Sequence, residues 1–273
     1  MKPYRHSWML HQLARRPGQP DDASLAPGQI LRDTYLRTLE HSQSDSEFRW
    51  MFCYAESTVP WMYRTHLRFA HRMQDSGQSL VMLLRMMTAQ CGEPSGRPVV
   101  DLDIGPASIG EKYLLAREIA RSRPACYVEA LDFTRERLEL WGVSRAWQGV
   151  GLERERRILV ARRQGVPLAA LVLELGHPGT NLLRLLDSAR LFPLSVDGPS
   201  AYVALLDEAR RWFAMRGRGS FVYMCEDEGE YAQEARLHDD PLAQPCLWII
   251  SAALVPEFLE HIHEQSIGSP KKL

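Results

Sequence analysis

The sequence predicts an α/β (α+β) fold with mixed, mostly antiparallel sheets flanked by helices. Three observations carry this. Short apolar runs of strand length alternate with amphipathic stretches of helical period. Two apolar runs, Arg157–Arg162 and Leu168–Leu175, are joined by the turn-forming Arg163-Gln164-Gly165-Val166-Pro167. The order strand, helix, strand, helix, strand occurs twice, from His6 to Met87 and from Leu168 to Ala252.

Each element follows from its residues. His6–Ala14 alternates apolar and polar positions, with Trp8, Leu10 and Gln12 on one face of a strand, and Arg16-Pro17-Gly18-Gln19-Pro20 ends it. Gly28–Gln43 carries Ile30, Leu31, Tyr35 and Leu39 at helical spacing behind Pro27. Phe48–Ala55 is an aromatic and apolar strand. Ser57-Thr58-Val59-Pro60 caps a helix over Trp61–Met73, and Ser79–Met87 is a buried strand. From Thr88 to Ser108, glycines and prolines mark a loop and the best boundary. Gly110–Arg123 and Thr134–Gln148 then read as helices, followed by the hairpin. Asn181–Leu194 reads as an apolar insert, Ser200–Met215 as a helix and Gly219–Cys225 as a strand. Tyr231–His238 reads as a short helix, Cys246–Ala252 as a strand and Val255–His263 as the closing helix.

With 45% hydrophobic and 25% charged residues among 273, the composition is that of a globular chain, which excludes disordered, collagen-like and disulfide-scaffold classes. The 33 basic residues balance 34 acidic ones, so net charge gives no argument for a nucleic-acid partner or an anionic membrane. No apolar run approaches the roughly 20 residues of a membrane span, and no signal-peptide core follows Met1. The five cysteines are odd in number and show no metal or redox spacing, which places the chain in the cytoplasm as an expectation. Motifs for a Ser hydrolase, zinc protease, P-loop NTPase or dinucleotide enzyme are missing from the sequence.

Two helices, a hairpin, a helix, a strand, a helix and a strand, together with Val160-Ala161, Gly165, Pro167, Ala169 and Leu173 in the hairpin, resemble the GNAT acyltransferase superfamily. The resemblance implies tandem GNAT-like units: a partial one over residues 1–90, a linker over 91–109, a complete one over 110–265 and a tail over 266–273. A first unit that begins at a strand has an open sheet edge, which predicts an upstream domain, a partner or another segment covering it. In that superfamily an R/Q-x-x-G-x-G/A loop cradles the pyrophosphate of acyl-CoA at a helix N-terminus. Here Arg15, Arg16 and Gly18 offer a partial match in the first unit. The second unit places Asp197-Gly198-Pro199-Ser200 before its helix, and Pro199 has no N–H.

The implied activity is acyl or aminoacyl transfer from acyl-CoA or another acyl donor to an amine acceptor, with a small-molecule substrate and no metal. The alternative is a catalytically inactive GNAT-like module that binds a ligand or regulates, which the eroded loop favours. Glu174 and His177 are the catalytic candidates: a partly desolvated glutamate at a strand end would have a raised pKa and could deprotonate the amine. Arg64, Arg68 and Arg72, with His66 and His71 beside them, form a stripe that could bind phosphate or carboxylate, or simply face solvent. Glu226-Asp227-Glu228-Gly229-Glu230 could hold a cation, but without regular ligand spacing it also reads as a solvated turn.

Overall fold

The computed structural model describes residues 1–10, 27–95, 101–180, 184–240 and 242–267. Along them run β1 (Ser7–Met9), α1 (Pro27–Gln43), β2 (Trp50–Glu56), α2 (Pro60–Met62), a π turn (Tyr63–Leu67), α3 (Arg68–Met73), β3 (Ser79–Leu83) and β4 (Arg85–Gln90). Next come β5 (Asp103–Pro106), α4 (Ile109–Ser122), α5 (Ala125–Ala130), α6 (Trp141–Gln148), β6 (Arg154–Arg163), β7 (Val166–Gly176) and β8 (Ser188–Pro193). The chain continues as α7 (Tyr202–Ala214), β9 (Ser220–Cys225), β10 (Leu237–His238), β11 (Pro245–Ser251) and α8 (Val255–Ile267). No helix among the described residues is long and apolar enough to cross a membrane.

The chain divides into two units: Met1–Met82 with Pro124–Leu131 and Cys246–Leu273, and Leu83–Arg123 with Asp132–Pro245. This differs from a cut at the 91–109 boundary, because two strands join the sheet opposite to their place in the sequence. The first sheet has the order β1-β2-β11-β3 and the second β10-β4-β9-β8-β7-β6-β5. The apolar run Ser79–Met87, expected as one strand, is therefore two. It breaks at Leu84, whose N–H donates to Pro245 O, and β4 goes on to pair with β9. The expected linker likewise contains β5, a four-residue edge strand, where Gly105 and Pro106 are tolerated.

In the first unit β1 and β2 are parallel. The outer side of β1 is covered by the first residues themselves: Met9 N donates to Met1 O at 2.7 Å and Met1 N to Met9 O at 3.1 Å. The core gathers Tyr35, Leu39, Met51, Phe69, Trp248 and Phe258.

In the second unit the hairpin β6–β7 is antiparallel, as expected. Gln164 and Gly165 both have positive φ, 51° and 79°, as a two-residue primed turn between right-twisted strands requires. The register shifts by one residue between Ala161 and Arg162, and beyond that bulge Arg156 lies opposite Glu174. All other neighbours in this sheet are antiparallel except the parallel pair β8–β9. One face of the sheet packs Leu171, Leu173, Leu191 and Phe221 under α7, with Phe213 stacked on Phe221 at 4.6 Å. Ser108 caps α4: its Oγ accepts from Glu111 N, and Glu111 Oε2 accepts from Ser108 N at 2.7 Å, which closes a capping box that helps fix the helix start by about 1 kcal/mol.

Three expected elements differ. β8 lies inside the stretch read as an apolar insert. Thr134–Gln148 is helical only from Trp141, because Leu140 adopts a left-handed φ of 55° with its side chain buried and ends the preceding turns. Tyr231–His238 makes turns ending at Arg236, also at positive φ, before β10 pairs with β4.

Candidate functional site

β8 and β9 hold together at two register positions, Ser188 with Val222 and Ala189 with Tyr223. Beyond these the strands part, since neither Leu191–Pro193 nor Met224–Cys225 has a partner across the gap. A backbone gap in a sheet must be lined by other groups, and here a cavity of about 370 Å³ opens at that end. Phe192 and Pro193 of β8, Tyr202 at the start of α7, the last turn of α4, and Glu226 and Asp227 after β9 line it.

The carboxylates are held differently. Glu226 accepts from Arg123 Nε at 2.8 Å and lies 3.6 Å from Arg190 Nε, with its side chain 6% exposed. Asp227 is exposed and accepts from Tyr231 OH at 3.1 Å, Gly229 N at 2.9 Å and Cys225 Sγ at 3.1 Å. The Tyr231 hydroxyl also meets the Tyr223 hydroxyl, and its ring stands edge-on to Tyr202 at 4.9 Å. Burial raises the pKa of Tyr231, so its hydroxyl keeps its proton at neutral pH. Burial pushes the Cys225 thiol up to about 11, so it stays a thiol rather than a nucleophilic thiolate.

Behind this cavity, on the sheet face opposite α7, lies a buried ionic cluster. Glu174 is 1% exposed, and its two oxygens accept from Arg154 and, at 2.6 and 3.0 Å, from Arg156. Arg190 Nη1 is 3.9 Å from the same carboxylate, so Arg190 reaches both Glu174 and Glu226. Arg156 also donates to Asp132 O and lies over the Phe133 ring at 4.6 Å. The raised pKa expected for Glu174 is therefore corrected. Burial acts to raise it, but the charges of Arg156, Arg154 and Arg190 outweigh burial and hold the carboxyl far below the usual range.

His177 follows β7 half-exposed, and among the described residues its ring makes no hydrogen bond. Neither Glu174 nor His177 lines the opening. Arg64, Arg68 and Arg72 are exposed along the π turn and α3 of the first unit and do not line the opening, and Arg72 lies over the Phe69 ring at 5.5 Å. His66 does not share their face. It is fully buried between Tyr35 OH, 2.7 Å from Nε2, and Thr65 Oγ1, 2.8 Å from Nδ1; burial, with His261 nearby, lowers its pKa to about 3. Arg15, Arg16 and Gly18 lie outside the described residues. No group of His, Cys, Asp and Glu among the described residues is arranged to hold a metal.

The fit of an acyl-CoA pyrophosphate can be tested at the loop before α7. Gly198 N donates to Ser195 O, Ser200 N to Asp197 O and Tyr202 N to Pro199 O, while Pro199 has no N–H. Those groups are turned into the loop and do not form an anion cradle. Gly198 is glycine for packing: a Cβ there would stand 2.8 Å from Leu168 O and 2.9 Å from Pro193 Cβ.

No family profile matches the sequence, and no curated protein does. Solved structures do resemble it. A GCN5-related N-acetyltransferase from Kribbella flavida is 11% identical, with 83% of this chain and 77% of that one covered at a TM-score of 0.44. A tandem GNAT protein from the clavulanic acid biosynthesis pathway is 12% identical, covering 90% and 75% at 0.46. A GCN5-related N-acetyltransferase from Sphaerobacter thermophilus is 13% identical, covering 85% and 69% at 0.40. This chain's own elements run in the order helices, the β6–β7 hairpin and β8, then α7 leading into a strand that runs parallel to β8 and splays from it. On that order the fold is GNAT-like.

Proposed function

We propose that the chain is an acyltransferase-like protein that passes an acyl or aminoacyl group to an amine acceptor in the opening between β8 and β9. The observation that carries this reading is the diverging parallel pair with an exposed carboxylate, Asp227, hydrogen-bonded to a protonated phenol at its mouth. An amine arrives as an ammonium ion and must lose a proton before it can attack a carbonyl. Asp227 faces solvent and is placed to bind the ammonium and take that proton. The nitrogen–carbon bond forms as the bond from carbon to the donor's leaving group breaks. The ammonium loses two protons in all: Asp227 takes the first and releases it to water, and the second leaves the nitrogen as the bond forms and passes through Asp227 to Tyr231, which has given its own proton to the leaving group.

In this reading Glu174 is a positioning residue. It fixes Arg190, which with Arg123 holds Glu226 at the wall of the opening. His177 is given no role, and the acceptor's amine is the finer part of the proposal. The loop before α7 supports a donor whose carrier is not gripped through its pyrophosphate. The test is an amine-acylation assay over acyl-thioester and aminoacyl donors with Asp227→Asn, which keeps the hydrogen-bond acceptor for Gly229 N. A loss of about a hundredfold in kcat with unchanged melting is expected. Unchanged turnover refutes the assignment.

A further inference from the structure

A second concavity, of about 620 Å³, lies between α6 and the part of β6 that extends past the end of β5. Its walls have a definite chemistry. On α6, Trp141, Ser144, Arg145 and Gln148 fall at i, i+3, i+4 and i+7 and line the groove as one stripe. Leu140, buried in its left-handed conformation, turns the chain so that the next residue, Trp141, stands 66% exposed. Arg157, exposed at the free edge of β6 past β5, also contributes to the lining.

The charges in this groove do not cancel. Its three carboxylates are already engaged: Glu139 with Lys112 at 2.6 Å, Glu153 with Arg218 at 3.0 Å and Glu155 with Arg216 at 3.1 Å. Arg145 and Arg157 pair with no carboxylate among the described residues, although both line the groove. Two unengaged guanidiniums favour an anion with several acceptor oxygens, and phosphate suits their fork of donors. A tryptophan face standing free on the same helix stripe as one of them favours a flat ring on the same ligand, since ring stacking and arginine–phosphate contact then act together. The volume is that of a small-molecule site.

We propose that this groove binds a nucleoside phosphate, the phosphate between Arg145 and Arg157 and the base on Trp141. This site is separate from the opening between β8 and β9 and stands whether or not the chain transfers acyl groups.

The test is calorimetric titration of the full chain with ADP, inorganic pyrophosphate and adenosine in magnesium-free buffer. ADP should bind at least tenfold more tightly than either of the others. Arg145→Ala and Arg157→Ala should each weaken ADP about tenfold, and Trp141→Ala should weaken ADP while leaving pyrophosphate unchanged. All three side chains are exposed, so their melting temperatures should match that of the parent protein. The proposal is overturned by no ADP binding, by pyrophosphate binding as tightly as ADP, or by ADP affinity that neither arginine substitution changes.

Discussion

Replacing Glu174 with Gln tests whether this carboxylate belongs to the framework or to the chemistry. The change preserves shape and leaves one acceptor oxygen, but it removes the charge facing Arg154 and Arg156, whose side chains are fully buried. Stripping one partner from a buried ion pair typically costs about 3–5 kcal/mol, because the remaining charge is left desolvated and uncompensated. With a urea slope of roughly 2–3 kcal/mol per M, the unfolding midpoint should fall by about 1.5 M. Far-UV circular dichroism and tryptophan fluorescence should report the same shift. The pH dependence has a definite sign. A carboxyl whose folded pKa lies below its unfolded value contributes stability above about pH 4.5 and loses it as the pH falls further. The wild type should therefore weaken below pH 4.5 more steeply than Glu174→Gln. A midpoint within about 0.3 M of wild type, together with lost turnover, would refute the framework role and return Glu174 to the chemistry.

Other consequences follow from single features. His66 is neutral in the fold with a pKa lowered to about 3, so stability should be full above its unfolded pKa of roughly 6.5 and fall as the pH drops toward 3. The slope approaches about 1.4 kcal/mol per pH unit, and urea midpoints measured between pH 6.5 and 5 should be flatter in His66→Gln. Gly198→Ala should cost about 1–3 kcal/mol by thermal melting, because its Cβ would press on the Leu168 carbonyl and Pro193. If the loop before α7 does not grip pyrophosphate, acetyl-CoA and acetyl-pantetheine should be used with equal kcat/KM. That comparison belongs in an Arg145→Ala/Arg157→Ala background, which removes the second groove from it; a large preference for the CoA ester there would contradict the loop reading.

The hairpin was legible because Gln164-Gly165 between two apolar runs leaves little choice of turn, whereas the capping box of Ser108 and Glu111 that starts α4 was passed over as part of a loop. β8 was hidden by Arg190, a charged residue in the middle of a buried strand, which breaks the apolar signature that strand reading depends on. The division of Ser79–Met87 between two sheets was not legible either, since alternation reports a buried strand but not which neighbour buries it. The environment of Glu174 turned on one residue. Counting outward from the turn without a bulge sets it opposite Glu155, a like charge, whereas the shift between Ala161 and Arg162 sets it opposite Arg156. The expected rise rested on desolvation alone, and it is outweighed because this irregularity, which the sequence does not announce, sets the carboxylate among arginines. Glu226 and Asp227 were visible as an acidic run, but the run alone does not distinguish a solvated turn from the wall of a cavity.

The claim that the reaction takes place between β8 and β9 is tested most directly by closing that opening. Ser122 is an exposed residue on the last turn of α4 at its wall, and Ser144 is the matching residue of the second groove. Ser122→Trp should abolish amine acylation with its melting temperature unchanged, while Ser144→Trp keeps full activity. Full activity in Ser122→Trp, or its loss only in Ser144→Trp, would contradict the account.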